Sequence, residues 1–129
     1  VDDFVRRRRE LVMRYNEAFS GVPWLKTPSE APGVYSAWHL YVLQFDWESL
    51  GRKRPEVMAV LREQGIGSQV LYIPVYLQPY YREKYGFTRG MFPAAENYYE
   101  KALAIPLFPR MSDADQDRVI EKVLALAKS

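Results

Sequence analysis

The sequence predicts one α/β domain. An aromatic and β-branched run over 35–46, free of glycine and proline, predicts a strand. Apolar residues at helical spacing on either side of it predict amphipathic helices. Strand, helix and strand follow one another between residues 35 and 73, the core of an α/β unit. At 129 residues the chain fits a single domain and is long enough to bury a core.

In chain order, Asp2 and Asp3 precede Phe4, Val5, Leu11, Val12, Tyr15, Ala18 and Phe19, predicting a helix over 3–19 that Gly21 and Pro23 stop. Four consecutive arginines, Arg6 to Arg9, point around more than one helical turn and cannot share one phosphate track. They read as a solvated flank or a contact with a partner domain. Residues 22–34 read as a loop with an extended piece at Trp24 and Leu25. In the strand at 35–46, Trp38, Leu40 and Val42 share one face, and His39, Tyr41, Leu43 and Phe45 the other. Two apolar faces predict cover on both sides. After a basic turn at 51–54, Pro55 suits a first helical position. Val57, Met58, Val60, Leu61 and Gln64 carry that helix to Gly65. Residues 67–73 predict a second strand ended by Pro74. A short helix runs from Pro79 to Tyr85, and another from Pro93 to about Lys101. A short strand at 102–105 ends at Pro106. Ser112 and Asp115 form a capping box for the last helix, with Val119, Ile120, Val123, Leu124 and Ala127 as its buried stripe.

Composition narrows the chemistry. The chain has 18 basic and 16 acidic residues, a formal net charge of +2, which does not call for nucleic acid or an anionic membrane. With no cysteine, disulfides, thiol nucleophiles and cysteine-based zinc sites are excluded, and a cytoplasmic protein is the natural expectation. No apolar run reaches the length of a membrane span, and no signal peptide is visible. A start at Val1 directly into a charged helix suggests a processed chain or part of a longer one. The single histidine, His39, sits in the predicted strand, where a half-buried, hydrogen-bonded role is expected. Neither a catalytic triad, a metal cluster, a Walker loop nor a GxGxxG turn is present. The unusual feature is 69–81, where a strand end leads into a tyrosine-dense loop. Tyrosine suits a sugar or nucleotide surface, and it equally suits packing of a helix on a sheet. A single-stranded RNA platform on Tyr35, Tyr41 and Tyr72 is opposed by the near-neutral charge and the lack of an RNP1 signature.

Five stretches in order resemble the C-terminal domain of the DegT/DnrJ/EryC1/StrS family of sugar aminotransferases. They are the arginine-rich helix over 9–19 with Tyr15-Asn16 near its end, and 36–42 with His39-Leu40-Tyr41. The Gly65-Ile66 turn with the Tyr72-Ile73-Pro74 loop follows. Pro93-Ala94-Ala95-Glu96 and Ile105-Pro106-Leu107-Phe108-Pro109 complete the set, the last with the capped helix behind it. The run over 71–81 is most similar to the branch aminating UDP-linked 4-keto-6-deoxy-hexoses for pseudaminic acid synthesis.

The resemblance implies the small domain of the type I aminotransferase fold, a mainly antiparallel sheet of three or so strands with helices packed on it. Residues 1–129 would be that one domain, without the large pyridoxal-phosphate-binding domain. The full-length protein would move an amino group from glutamate to a keto sugar in a ping-pong reaction, as a cytoplasmic homodimer. A Schiff-base lysine of the large domain would hold the cofactor. Lys26, Lys53, Lys84, Lys101, Lys122 and Lys128 do not stand in that motif, so residues 1–129 alone are expected to bind no cofactor and to be inactive. The substrate wall maps onto Gly67, Ser68, Gln69, Leu71, Tyr72, Ile73 and Tyr76. Many family members carry histidine at the places of Leu71 and Tyr76, and this departure leaves the sugar open. A non-catalytic ligand- or protein-interaction module of the same fold is the alternative.

Overall fold

The computed structural model describes residues 1–128, with side chains to residue 127. Helix α1 (Asp2–Phe19) leads into a two-residue strand β1 (Leu25–Lys26) and then β2 (Tyr41–Phe45). Helices α2 (Trp47–Leu50) and α3 (Arg54–Glu63) follow. A 3-10 turn (Val75–Leu77) precedes α4 (Pro79–Tyr85) and α5 (Pro93–Lys101), and α5 runs directly into β3 (Ala102–Ile105). Helix α6 (Asp113–Leu124) and a closing 3-10 turn (Ala125–Lys128) complete the chain. The sheet is antiparallel throughout in the order β1-β2-β3, with Leu25 opposite Phe45 and Tyr41 opposite Ile105. The small antiparallel sheet with packed helices is thus the architecture the resemblance implied.

One core joins α1, the sheet, α3 and α6. Leu11, Tyr15 and Phe19 of α1 pack with Tyr41, Leu43 and Phe45 of β2, and with Val57, Leu61, Val119 and Val123. Tyr15 and Tyr41 lie with ring centres 4.6 Å apart. Both hydroxyls find acceptors, Tyr15 the Pro106 carbonyl at 2.6 Å and Tyr41 the Asn16 amide oxygen at 2.8 Å. Burial pushes both phenols well above the usual tyrosine range, so they remain neutral donors.

The predicted strand over 35–46 survives only at 41–45. Arg9 donates to both carboxylate oxygens of Glu30 at 2.8 Å and to the Ser36 carbonyl at 2.8 Å, while Glu30 accepts the Ser36 N–H. The Ser36 hydroxyl takes the Trp38 N–H, and Trp38 adopts φ 51°. Side-chain bonds therefore consume the ladder groups of 36–38 and a left-handed residue turns the chain. His39 is consequently exposed rather than half-buried, and Leu40 is exposed as well. The two-sided cover also needs correction: Tyr41, Leu43 and Phe45 are buried, but Val42 and Gln44 only partly. It is β3 whose four residues are all buried.

The second predicted strand, 67–73, reduces to one bridge between Gln69 and Ala104. The neighbouring outward groups of β3 are already occupied. The Ala102 N–H caps α5 at the Tyr98 carbonyl, and the Ala102 carbonyl accepts Arg54 at 3.2 Å. Pro106 on the other side has no N–H to offer.

Helix α2 was not anticipated. Asp46 caps it through the Ser49 N–H, and Gly51 closes it at φ 76°. Helix α3 opens at Arg54, one residue before Pro55. At the C-terminus Ala127 is exposed, and Leu126 takes the buried place as α6 tightens into the 3-10 turn.

Candidate substrate-wall site

The consecutive residues Gly67, Ser68 and Gln69 share one cleft. With Leu40, Ala104, Ile105, Pro106 and Leu107 they line a cleft of about 370 Å³ where β3 ends. The paired Gln69–Ala104 backbone fixes one wall, with N–H to carbonyl distances of 3.0 and 2.9 Å. The buried Tyr15 hydroxyl fixes the other by holding the Pro106 carbonyl. A Cβ built on Gly67 would meet nothing within 4 Å, so this position has open space beside it. The Ser68 hydroxyl and Gln69 amide offer donors and acceptors, beside the apolar Leu40, Pro106 and Leu107. That mixture suits a ligand with hydroxyls on one face and carbon on the other.

Tyr76 is elsewhere. It lines a second, apolar cleft of about 480 Å³ with Pro74, Val75, Tyr81, Phe87, Phe92 and Ala95. Its ring stands 4.6 Å from Phe92 and 6.2 Å from Phe87. The hydroxyl is shut off from solvent and turned toward the carboxylate of Glu96. Burial and that negative neighbour push the Tyr76 phenol up to about 12. The Tyr76 hydroxyl and the Gly90 N–H, which reaches Glu96 at 2.8 and 3.0 Å, hold the Glu96 carboxyl below its ordinary range. Tyr76 thus offers its ring, with the hydroxyl shut off from solvent behind it.

Leu71 and Ile73 are half-buried and line neither cleft, while Tyr72 is 92% exposed. Leu40, Leu107 and Glu96 were not among the predicted site residues. Leu40 falls in the His39-Leu40-Tyr41 stretch. Leu107 falls in the Pro106–Pro109 stretch, and Glu96 in the Pro93–Glu96 helix start, so their segments were legible although their roles were not.

The chemistry of the lysines can be set against pyridoxal phosphate. Neither cleft is lined by a lysine. Lys26, Lys53 and Lys84 are exposed, and Lys84 donates to the Tyr80 hydroxyl at 2.8 Å. Lys122 pairs with Glu121, and Lys101 lies near Asp46. The Lys128 side chain lies outside the described residues. Among the described residues, then, neither cleft supplies an amine to hold the cofactor's aldehyde. Among the described residues, no group of histidine, aspartate and glutamate could hold a metal ion, and no helix is long and apolar enough to cross a membrane.

Residues 1–124 match the family described as the DegT/DnrJ/EryC1/StrS aminotransferase family. The chain is 43% identical over 129 residues to the spore coat polysaccharide biosynthesis protein SpsC of Bacillus subtilis, covering 99% of this chain and 33% of that protein. It superposes on DesV of S. venezuelae, solved in complex with a ketimine intermediate, with TM-score 0.87 and 28% identity. That match covers 99% of this chain and 33% of DesV. Spr1654 of Streptococcus pneumoniae, solved in a PLP-form, superposes with TM-score 0.84 and 28% identity over 97% of this chain and 31% of its own. The chain therefore spans about a third of the length of these relatives. It belongs to the DegT/DnrJ/EryC1/StrS aminotransferase family.

Proposed function

We propose that residues 1–129 are the C-terminal small domain of a cytoplasmic, pyridoxal-phosphate-dependent nucleotide-sugar aminotransferase. The cleft along Gly67, Ser68 and Gln69 is one wall of its substrate site. The observation that carries this reading is that cleft, where the segment 67–69 lies beside Leu40, Pro106 and Leu107 from two other parts of the chain. The full-length protein takes the amino group from glutamate and delivers it to a keto sugar, acting as a homodimer. Pyridoxal phosphate supplies the electron sink in that transfer. Its anchoring lysine belongs to the part of the protein outside residues 1–129, since neither cleft offers one.

The work of the described residues is binding and orientation. Ser68 and Gln69 hydrogen-bond sugar hydroxyls, and Leu40 and Leu107 exclude water from the face opposite. Tyr72, exposed and unpacked, reaches the nucleotide portion, and Leu71, Ile73 and Tyr76 shape the segment that carries it. The sugar is the 4-keto-6-deoxy-hexose of a UDP-linked substrate. The test is transamination of that substrate with glutamate by the full-length protein and by residues 1–129 alone. Product from the full-length protein and none from the shorter chain is expected. Product from residues 1–129, or none from the full-length protein with any keto sugar, contradicts the reading.

A further inference from the structure

Among the described residues, Trp38 is the one non-glycine residue at positive φ, at 51°. A bulky side chain takes that backbone only where its surroundings impose it. Here the Ser36 hydroxyl accepts the Trp38 N–H at 3.1 Å. Ser36 is itself gripped at both backbone groups: Glu30 accepts its N–H, and Arg9 donates to its carbonyl. Arg9 also donates to both Glu30 oxygens, which ties the grip together. The Tyr35 ring covers Arg9, 4.0 Å from the guanidinium carbon.

The local sequence pulls the other way. The run over 35–46 carries strand signals throughout. Strands β2 and β3 pair Val42 with Ala104 and Tyr41 with Ile105. Carried on in that register, Leu40 meets Pro106, His39 meets Leu107 and Trp38 meets Phe108. Alternation then puts Trp38 on the face of Leu40, within the diagonal reach of an aromatic ring. Leu40, Pro106 and Leu107 line the cleft beside 67–69. An extended 36–40 would therefore bring the indole onto the cleft. The turn at Trp38 sends it to the core instead, where it packs half-buried against the buried cluster.

We propose that Glu30, with Arg9, is a positioning residue for the nucleotide sugar: by gripping Ser36 it holds the turn at Trp38 and keeps the indole out of the cleft. This rests on the substrate-wall reading above. Glu30 and Arg9 line no part of that cleft. They set the fraction of molecules whose cleft is open, and apparent affinity scales with that fraction.

Steady-state transamination by the full-length protein tests this, with glutamate and a UDP-linked 4-keto-6-deoxy-hexose. Glu30→Ala is expected to raise KM for the sugar about tenfold, with KM for glutamate unchanged. Ser36→Ala removes only the acceptor of the Trp38 N–H and is expected to raise it about threefold. Adding Trp38→Gly to Glu30→Ala is expected to bring KM back to within about twofold of the unsubstituted value. Glycine takes a positive φ freely and carries no ring. A grip that only stabilises the fold gives no such rescue, because losing a packed indole adds to the damage. An unchanged sugar KM in Glu30→Ala overturns the inference, as does an equal rise for glutamate, or a rise that Trp38→Gly leaves in place. If Glu30→Ala yields no folded protein, Ser36→Ala with and without Trp38→Gly carries the same test. The unsubstituted protein separates the two claims. No amino transfer by it refutes the substrate-wall reading, whereas transfer with a sugar KM indifferent to Glu30 refutes the positioning role alone.

Discussion

Tyr15, Tyr41 and Phe45 are fully buried in one closed core, each touching another element, and the two tyrosine hydroxyls are paired. The rings of 72–98 are arranged otherwise. Tyr80, Tyr81, Tyr85, Phe87, Phe92 and Tyr76 run ring to ring at 4.6–6.2 Å, and most remain partly exposed. In that segment only Leu77 and Glu96 are buried. The first region spends its aromatics on cohesion, the second on a surface. A region held by few buried contacts lies at the low end of local stability, where substrate-facing segments are commonly found.

The largest effect expected from this contrast is at Phe45, which stacks on Trp47 at 4.5 Å and also meets Trp24. Phe45→Ala is expected to cost about 3–5 kcal/mol in denaturant unfolding, whereas Phe92→Ala, with its ring half in water, costs about 1 kcal/mol. Equal losses at the two sites would break the comparison.

Legibility followed the same division. Helices α1, α4, α5 and α6 and strand β3 were readable because their signals are local: spacing, Pro79 and Pro93 at helix starts, Ser112 as a cap. The errors arose where a distant side chain took backbone groups. Arg9 and Glu30 remove Ser36 from any ladder, and Arg54 closes the Ala102 carbonyl to residues 67–73. The spacing of either strand carries no sign of those bonds. Of the site, Gly67, Ser68 and Gln69 were legible as a cluster. The separation of Tyr76 was not, since it depends on Phe87 and Phe92, more than ten residues on, packing against its ring.

Tyr76 and Glu96 make the second region sensitive to pH at both ends. The Glu96 carboxyl is held below its ordinary value of 4.5 in the folded chain. Its stabilisation is therefore complete above 4.5 and is lost as pH falls through the lower folded value. The Tyr76 phenol is raised from 10.0 to about 12, so its contribution holds below 10 and is lost on going toward 12. Melting curves across pH are expected to show an acid decline that Glu96→Gln flattens, starting from a lower plateau. An acid limb unaffected by that substitution assigns the loss to Glu30, Asp46 and Asp113, which are also held low by Arg9, Ser49 and Arg7 respectively.

The smallest stability effect belongs to Tyr72. With 92% of its surface in water, Tyr72→Ala is expected to change stability by no more than about 0.5 kcal/mol. Nucleotide-sugar turnover by the full-length protein is nevertheless expected to fall. A silent Tyr72→Ala in both measurements would make that ring mere surface.

The cleft at Ser68 tests the central claim most directly. Ser68→Tyr, at a residue that lines the cleft, fills it. In steady-state transamination by the full-length protein, the account predicts a rise of about tenfold in KM for the nucleotide sugar, with KM for glutamate unchanged. Unchanged values for both substrates, or an equal loss for both, would contradict a substrate wall at Gly67, Ser68 and Gln69.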